Sequence, residues 1–400
     1  MLKSRIITRT VLLVSLVSLF TDIASEMLYP VMPVYLKSIG FSVLLIGILE
    51  GIAEATAGLS KGYFGNLSDK KGTRMPFVRW GYSLSAISKP LLAVFIYPLW
   101  IFFARTLDRL GKGIRTSARD ALLSDETTKE HKAKVFGFHR SLDTVGAAIG
   151  PILALIYLYF YPEQYKWLFI IAFFPGILAI FITFLIKEKR EQISEPKKDR
   201  VNFLSYLKYW EKSSSVYKRL VIGMLVFTVF NSSDVFLLLA LKQNGLSDVQ
   251  MIGFYIFYNL IYALLSYPLG AAADKLGMKT VLVLGLFVFS IVYTSMAFAS
   301  NFWLLGLLFF LYAIYAASTE SISKAWISNI CDKSETATAI GFFTSFSSIC
   351  TLLASIFAGL LWFYFGPATT FIVSGTGVGI VMVYIIIFVK NEKQSNYSAA

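Results

Sequence analysis

Cysteine and histidine are nearly absent from this chain, with two of each among 400 residues. Cys331 and Cys350 have neither metal-ligand spacing nor enough partners for a disulfide framework. No nucleophile–base set, phosphate-cradling loop or metal cluster is legible, so neither an enzyme nor a cofactor or metal is expected. Charge is scarce too, at 15% of residues, where soluble domains carry about 25%. What is abundant is apolar: 56% of residues are hydrophobic and the mean hydropathy is +0.65. These residues arrive in runs of about 20, the length a helix needs to cross a hydrocarbon core about 30 Å thick. The chain therefore reads as an all-α polytopic membrane protein. The net charge of +13 does not point to nucleic acid, because the basic residues lie mostly between apolar runs. No cleavable signal peptide is expected, since the first run is long and lacks a small-residue cleavage site.

The hydropathy pattern predicts twelve transmembrane helices. The first six cover roughly Thr10–Leu36, Val43–Phe64, Phe77–Ile96, Leu99–Leu123, Phe136–Phe160 and Trp167–Ile186. The other six begin near Leu220, Ile252, Val281, Trp303, Ala339 and Thr369. Lys3, Arg5, Arg9, Lys70, Lys71, Arg74, Lys129, Lys132 and Lys134 occupy the amino terminus and alternate loops, while the intervening loops are short and nearly uncharged. The positive-inside rule then places both termini in the cytoplasm. A polar stretch with Lys187, Lys189, Arg190, Lys197, Lys198 and Arg200 and the sequence FLSYLKYW separates two six-helix bundles. The expected organisation is a bundle over 1–187, a cytoplasmic linker over 188–219 with a short membrane-surface helix, and a bundle over 220–400.

The fourth span is unusual. Arg105, Asp108, Arg109, Lys112, Arg115, Arg119 and Asp120 all lie within Leu99–Leu123. At about 100° per residue they fall inside an arc of roughly 140°, opposite an apolar face. Such a face cannot point at lipid, because a central charge costs at least about 2.5–3.5 kcal/mol. It requires a polar cavity and acidic partners, and neighbouring spans supply Asp22 and Glu26, Glu50 and Glu54, and Asp143 beside Arg140 and His139. Arg115, Arg119 and Asp120 read as interfacial, Lys89 as a snorkelling side chain, and Tyr255, Tyr258 and Tyr262 as packing residues, with a cavity border as the alternative.

An internal repeat organises the whole. GNLSDKKGTR (Gly65–Arg74) and GAAADKLGMK (Gly270–Lys279) align at an offset of 205 residues, each after an even-numbered span. Gly65 and Gly270 allow close helix approach. Asp69 and Asp274 sit where they can meet cations or a helix amino terminus. Gly72 and Gly277 turn the chain. Paired six-helix halves of this kind mark transporter folds, and the pattern resembles the cytoplasmic gating motif of the major facilitator superfamily. The resemblance is to twelve-span proton-coupled bacterial members and covers the whole chain. It implies that Asp69 and Arg74 help latch the outward-open state, with Asp274 and Lys279 as counterparts. Arg105-Thr-Leu-Asp108-Arg109-Leu-Gly111 partly resembles the family's fourth-span pattern. Gly146, Gly150 and Pro151 partly resemble its fifth-span antiporter pattern, and Tyr29-Pro30-Val31-Met32-Pro33 the first-span ending of drug/proton antiporters.

The carboxy-terminal half is poorer in charge, with Asn231 and Asp234 in its seventh span and Glu320 and Lys324 in its tenth. Its eleventh carries the hydroxyls of Thr344, Ser345, Ser347 and Ser348. The expectation is a proton-coupled secondary transporter working by alternating access in a bacterial inner membrane, as a monomer. Asp22, Glu26, Glu50, Glu54 and Asp143 are the candidate proton carriers. Arg105, Asp108, Arg109, Lys112, Arg140, Asn231 and Asp234 are the candidate substrate contacts. Arg115, Arg119, Glu320 and Lys324 join the repeat in gating. Its partners are a small-molecule substrate, protons and the bilayer, with no nucleic acid. Export of a drug or metabolite and uptake of an organic anion or siderophore-like chelate both remain open. A non-transporting sensor on the same fold is a third alternative.

Overall fold

The apolar runs become helices whose ends fall where the sequence places capping residues. A computed structural model describes residues 6–188 and 202–389, and every α or β element among them is an α-helix. In order these are α1 (Arg9–Glu26), α2 (Met32–Ser38), α3 (Val43–Lys71), α4 (Met75–Val94), α5 (Pro98–Asp125), α6 (Lys132–Phe160) and α7 (Tyr165–Phe184). Then follow α8 (Tyr209–Lys212), α9 (Ser215–Phe230), α10 (Asp234–Gln243), α11 (Asp248–Leu276), α12 (Met278–Met296), α13 (Phe302–Ile330) and α14 (Thr336–Phe388). Thr8, Ser42, Ser214, Ser247 and Asn301 accept backbone N–H groups at helix starts, satisfying donors with no partner inside the helix. Proline opens α2, α4 and α5, where its missing N–H does no harm. Lys3, Arg5, the linker bases Lys189, Arg190, Lys197, Lys198 and Arg200, and the carboxy-terminal tail lie outside the described residues.

Two spans expected as continuous are broken. Span one divides into α1 and α2 at Met27–Val31, and span seven into α9 and α10 at Asn231–Ser233. The two breaks are equivalent in the 205-residue repeat. So are Gly40 and Gly245 (φ 91° and 82°) and Gly72 and Gly277 (φ 62° and 97°), a left-handed backbone that glycine adopts without steric cost. The last two expected spans are two helices within α14, separated where Gly366 leaves helical geometry (φ 84°, ψ 171°) ahead of Pro367. Seven segments among the described residues are long and apolar enough to cross a membrane. Helix α5 is too charged to be one of them.

The chain forms two compact units. The first takes the described residues of Met1–Thr128, Leu142–Tyr209 and Asp332–Ser345; the second takes those of Lys129–Ser141, Trp210–Cys331 and Phe346–Ala400. In the first, α5 packs against α3 and α4, and α7 against α4 and α1. Gly81 of α4 and Gly111 of α5 meet backbone to backbone, where a Cβ on either would strike the other's carbonyl. In the second, α13 packs against both α11 and α12. Leu99, Trp303 and Phe363 stay about four-fifths exposed, as side chains facing lipid would.

The linker's FLSYLKYW sequence forms a 3-10 turn at Ser205–Lys208 that runs into the single turn α8. Tyr206 is buried on Gly62 of α3, and Ser205 donates to Asn66. A glycine at 62 leaves room for the ring, so the tyrosine docks on α3.

Candidate functional site

The charged face of α5 is resolved into ion pairs within the first unit. Arg105 donates through Nε and Nη2 to Glu50 of α3, at 2.9 and 2.5 Å. One turn along, Arg109 faces Glu54 at 3.6 Å, with the Glu54 side chain half exposed. Asp108 turns to the other neighbour and accepts from Lys89 of α4 at 2.7 Å. Lys89 also donates to Ser25 of α1. It does not snorkel: it is 2% exposed, held inward by the carboxylate. Among the expected substrate contacts on α5, Arg105 and Asp108 are therefore committed to neighbours, while Lys112 is exposed.

Arg115, Arg119 and Asp120 are buried rather than interfacial, because α5 carries this turn between α4 and α1. Arg115 donates to Ser85 and lies 4.5 Å from the ring centroid of Tyr82. Arg119 donates to Asp120 and to Ser18 of α1. Ser18 in turn donates to Asp143 of α6 at 2.5 Å. Gly146, one turn beyond Asp143, brings α6 onto the α1 backbone at Leu19 and Ile23, against the Asp22 Cβ, so Asp22 and Asp143 lie on facing turns. Glu26 is half-buried one turn further along α1.

The repeated motif makes the same structure twice, once in each unit. Asp69 accepts the N–H groups of Ala337 and Thr338 and the Thr338 hydroxyl, at 3.3, 2.6 and 2.6 Å. Arg74 holds it from behind at 2.5 Å and reaches Asp125 at 3.4 Å. Asp274 accepts the N–H groups of Ala133 and Lys134 at 3.0 and 2.9 Å. Each carboxylate thus caps a helix amino terminus, α14 or α6, which its charge and the helix dipole both favour. Gly65 and Gly270 lie against the Ala337 and Ala133 carbonyls. Lys279 departs from its expected part: it donates to the Ile386 carbonyl at the end of α14 and not to Asp274. A lysine is shorter in donors than Arg74 and settles on the nearest uncapped carbonyl.

In the second unit Arg140 donates to Glu320 (2.6 Å) and Tyr262 (2.6 Å), and Tyr262 donates to Glu320 (2.8 Å). Tyr262 is therefore a polar contact, not a packing residue alone. Asn231 donates to Tyr315, and Asp234 accepts from Tyr312 at 2.6 Å. Lys324 is half-buried on α13. The hydroxyl of Ser345 joins helices: it donates to the Gly58 carbonyl and accepts the Gly62 N–H. The sequence assigned no bonding partner to Lys89 or Ser18 and no contact to Tyr206 or the tyrosine hydroxyls. Lys89 alone carried a signal, as a base in an apolar run far from either end. Among the described residues no group of three or more His, Cys, Asp or Glu side chains is placed to hold a metal.

Ion pairs inside apolar helices, with a glycine–aspartate motif built twice, define a membrane transporter. Comparison with known proteins gives its family. Residues 14–261 and 242–399 match the Major Facilitator Superfamily. The chain is 31% identical over 393 residues to an uncharacterized MFS-type transporter of Methanocaldococcus jannaschii, covering 97% of this chain and 96% of that one. It is 25% identical to the staphyloferrin B transporter of Staphylococcus aureus, over 90% of this chain and 88% of the relative. The human organic anion transporter MFSD10 has the same fold, with a TM-score of 0.78 and 16% identity, covering 94% of this chain and 99% of that one. The chain belongs to the major facilitator superfamily: it is an integral, multi-pass membrane transporter and not an enzyme.

Proposed function

We propose that this protein is a proton-coupled secondary transporter that moves a small organic molecule by alternating access, as a monomer in the bacterial cell membrane. Its helices are taken as twelve transmembrane spans in two six-helix bundles, 1–187 and 220–400, with both termini and the 188–219 linker in the cytoplasm. The observation that carries the reading is the close approach of α1 and α6 at Gly146, which sets Asp22 on the turn facing Asp143. Two carboxylates set on facing helix turns resist ionising together, so the pair favours holding a proton. Arg119, bonded to Ser18 beside them, supplies the opposing charge that releases the proton when the helices shift. Glu50 and Glu54 already face arginines and serve the pair poorly as carriers.

Two measurements test this. Infrared difference spectra of the purified protein at neutral pH should show a protonated carboxyl band that disappears in Asp22→Asn/Asp143→Asn. In proteoliposomes, a panel of radiolabelled organic acids, amino acids and ferric chelates should contain a solute whose accumulation follows an imposed pH gradient. In Asp22→Asn that accumulation should fall to the level seen without a gradient. Uptake indifferent to the gradient in the wild type would remove proton coupling.

A second reading, uptake of an organic anion or siderophore-like chelate in place of export, is favoured by the exposed Lys112 and by the similarity to a staphyloferrin B transporter. The direction of accumulation in the same panel decides between them.

A further inference from the structure

The second unit contains an acidic, aromatic-walled break whose charge is unbalanced. Between α9 and α10 the chain leaves the helix at Asn231–Ser233 inside one apolar segment, Ser215–Gln243. Tyrosine hydroxyls stitch the break: Tyr315 meets Asn231, Tyr293 meets Ser232 and Tyr312 meets Asp234. The stitching is incomplete. The Asn231 Oδ1 atom is buried with no hydrogen-bond donor. Asp234 receives one hydroxyl and, among the described residues, no cation within 4 Å.

The surroundings do not supply that cation. The rings of Tyr312 and Tyr315 lie 5.2 Å apart, and Tyr258 bridges from Tyr312 (5.0 Å) to Tyr262 (5.9 Å). Beyond Tyr262 stand Glu320 and Arg140, whose charges neutralise each other. The cluster therefore keeps one uncompensated carboxylate, one unsatisfied acceptor and a wall of electron-rich rings. Asp234 is only partly buried, so a ligand can reach its carboxylate; the covered Asn231 Oδ1 meets a ligand when the Asn231 side chain turns toward it. A carboxylate in an apolar segment needs a partner, and tyrosine faces attract cations. Discontinuous helices are where transporters place substrate groups.

We infer that Asn231, Asp234 and the tyrosines of α11 and α13 form a subsite for a protonated primary amine, so that the transported molecule carries an ammonium group. The ammonium donates to the Asp234 carboxylate and to Asn231 Oδ1, and its remaining face lies against the rings. This rests on the transporter reading above, but its test reads equilibrium binding and needs neither a gradient nor transport.

The probe is benzylammonium, titrated calorimetrically into the detergent-purified protein. Saturable binding is expected, with benzyl alcohol, the neutral counterpart, about tenfold weaker or worse. Benzyltrimethylammonium, which has no N–H to offer Asn231, should fall between them. Asp234→Asn should lose about tenfold in affinity for benzylammonium, and Asp234→Glu should retain most of it. Absence of benzylammonium binding, or equal binding of benzyl alcohol by the wild type, overturns the subsite without any variant having to fold. Unchanged affinity in Asp234→Asn overturns it as well. If the amine binds as expected while uptake ignores pH, proton coupling fails and the subsite stands.

Discussion

Asp108→Ala should lower the stability of the purified protein by about 3–5 kcal/mol, the usual penalty for stranding one half of a buried ion pair. Lys89 is 2% exposed, and its ammonium meets only the Asp108 carboxylate and the Ser25 hydroxyl. It sits one residue before Pro90, inside α4. Removing the carboxylate leaves a full charge facing apolar helices, with one neutral oxygen for company. The loss belongs to the stranded cation and not to the pair, so removing both charges should repair it. Lys89→Met combined with Asp108→Leu should recover most of the stability, because a well-packed apolar pair is often as stable as a buried salt bridge. Glu54→Gln is the contrast. Its carboxylate is half exposed and stands 3.6 Å from Arg109, and such pairs are worth about 0–1 kcal/mol. Thermal unfolding in detergent, followed by tryptophan fluorescence, reads all three variants. An Asp108→Ala protein as stable as Glu54→Gln would show that water reaches Lys89 and that the pair is not buried in the membrane-like environment.

How much of this was visible in the sequence depends on what fixed each contact. The duplicated motif was fully legible, since Asp69 and Asp274 act through backbone N–H groups and need no particular partner side chain. Gly72 and Gly277 likewise announce a backbone conformation. The Arg105–Glu50 pair was legible in kind, because a base on one span demands an acid on another. Which acid answers which base was not. Asp108 and Arg109 are adjacent in sequence yet turn to α4 and α3 respectively, a choice made by the rotation of α5 that the Gly81–Gly111 contact sets. The interfacial reading of Arg115 and Arg119 failed for the same reason. Distance along a span gives depth, while burial is decided by which neighbouring helix covers the turn. The tyrosine hydroxyls were hidden by their own rings, which count as apolar in any periodicity. The break at Asn231–Ser233 was hidden by the apolar residues that continue on both sides.

Asp69→Asn should loosen the segment 332–345 selectively. The Asp69 carboxylate accepts two N–H groups and a hydroxyl at the amino end of α14, and it is charge-balanced by Arg74. Hydrogen bonds to a charged group are worth about 1.5–3 kcal/mol each. An asparagine keeps one acceptor, turns donors toward donors and releases Arg74 from its partner. A loss of about 3 kcal/mol follows, which is roughly a hundredfold in the opening equilibrium of that segment. Hydrogen exchange reads such an opening directly. Amides of 336–345 should exchange about a hundredfold faster in Asp69→Asn, with 132–141 unchanged. Asp274→Asn should do the converse, loosening 132–141 and sparing 336–345. Its effect should be smaller, because Asp274 accepts two N–H groups at 3.0 and 2.9 Å, and Lys279 is engaged elsewhere. Equal effects of the two variants on both segments would mean that neither carboxylate holds its own helix end. Under the alternating-access mechanism proposed above, with these two sites as its gates, the unequal strengths have a mechanical consequence. Two latches of different depth release in sequence, the α6 end before the α14 end, so a variant that strengthens the Asp274 site, such as Lys279→Arg, should slow the first release and leave the second as it was.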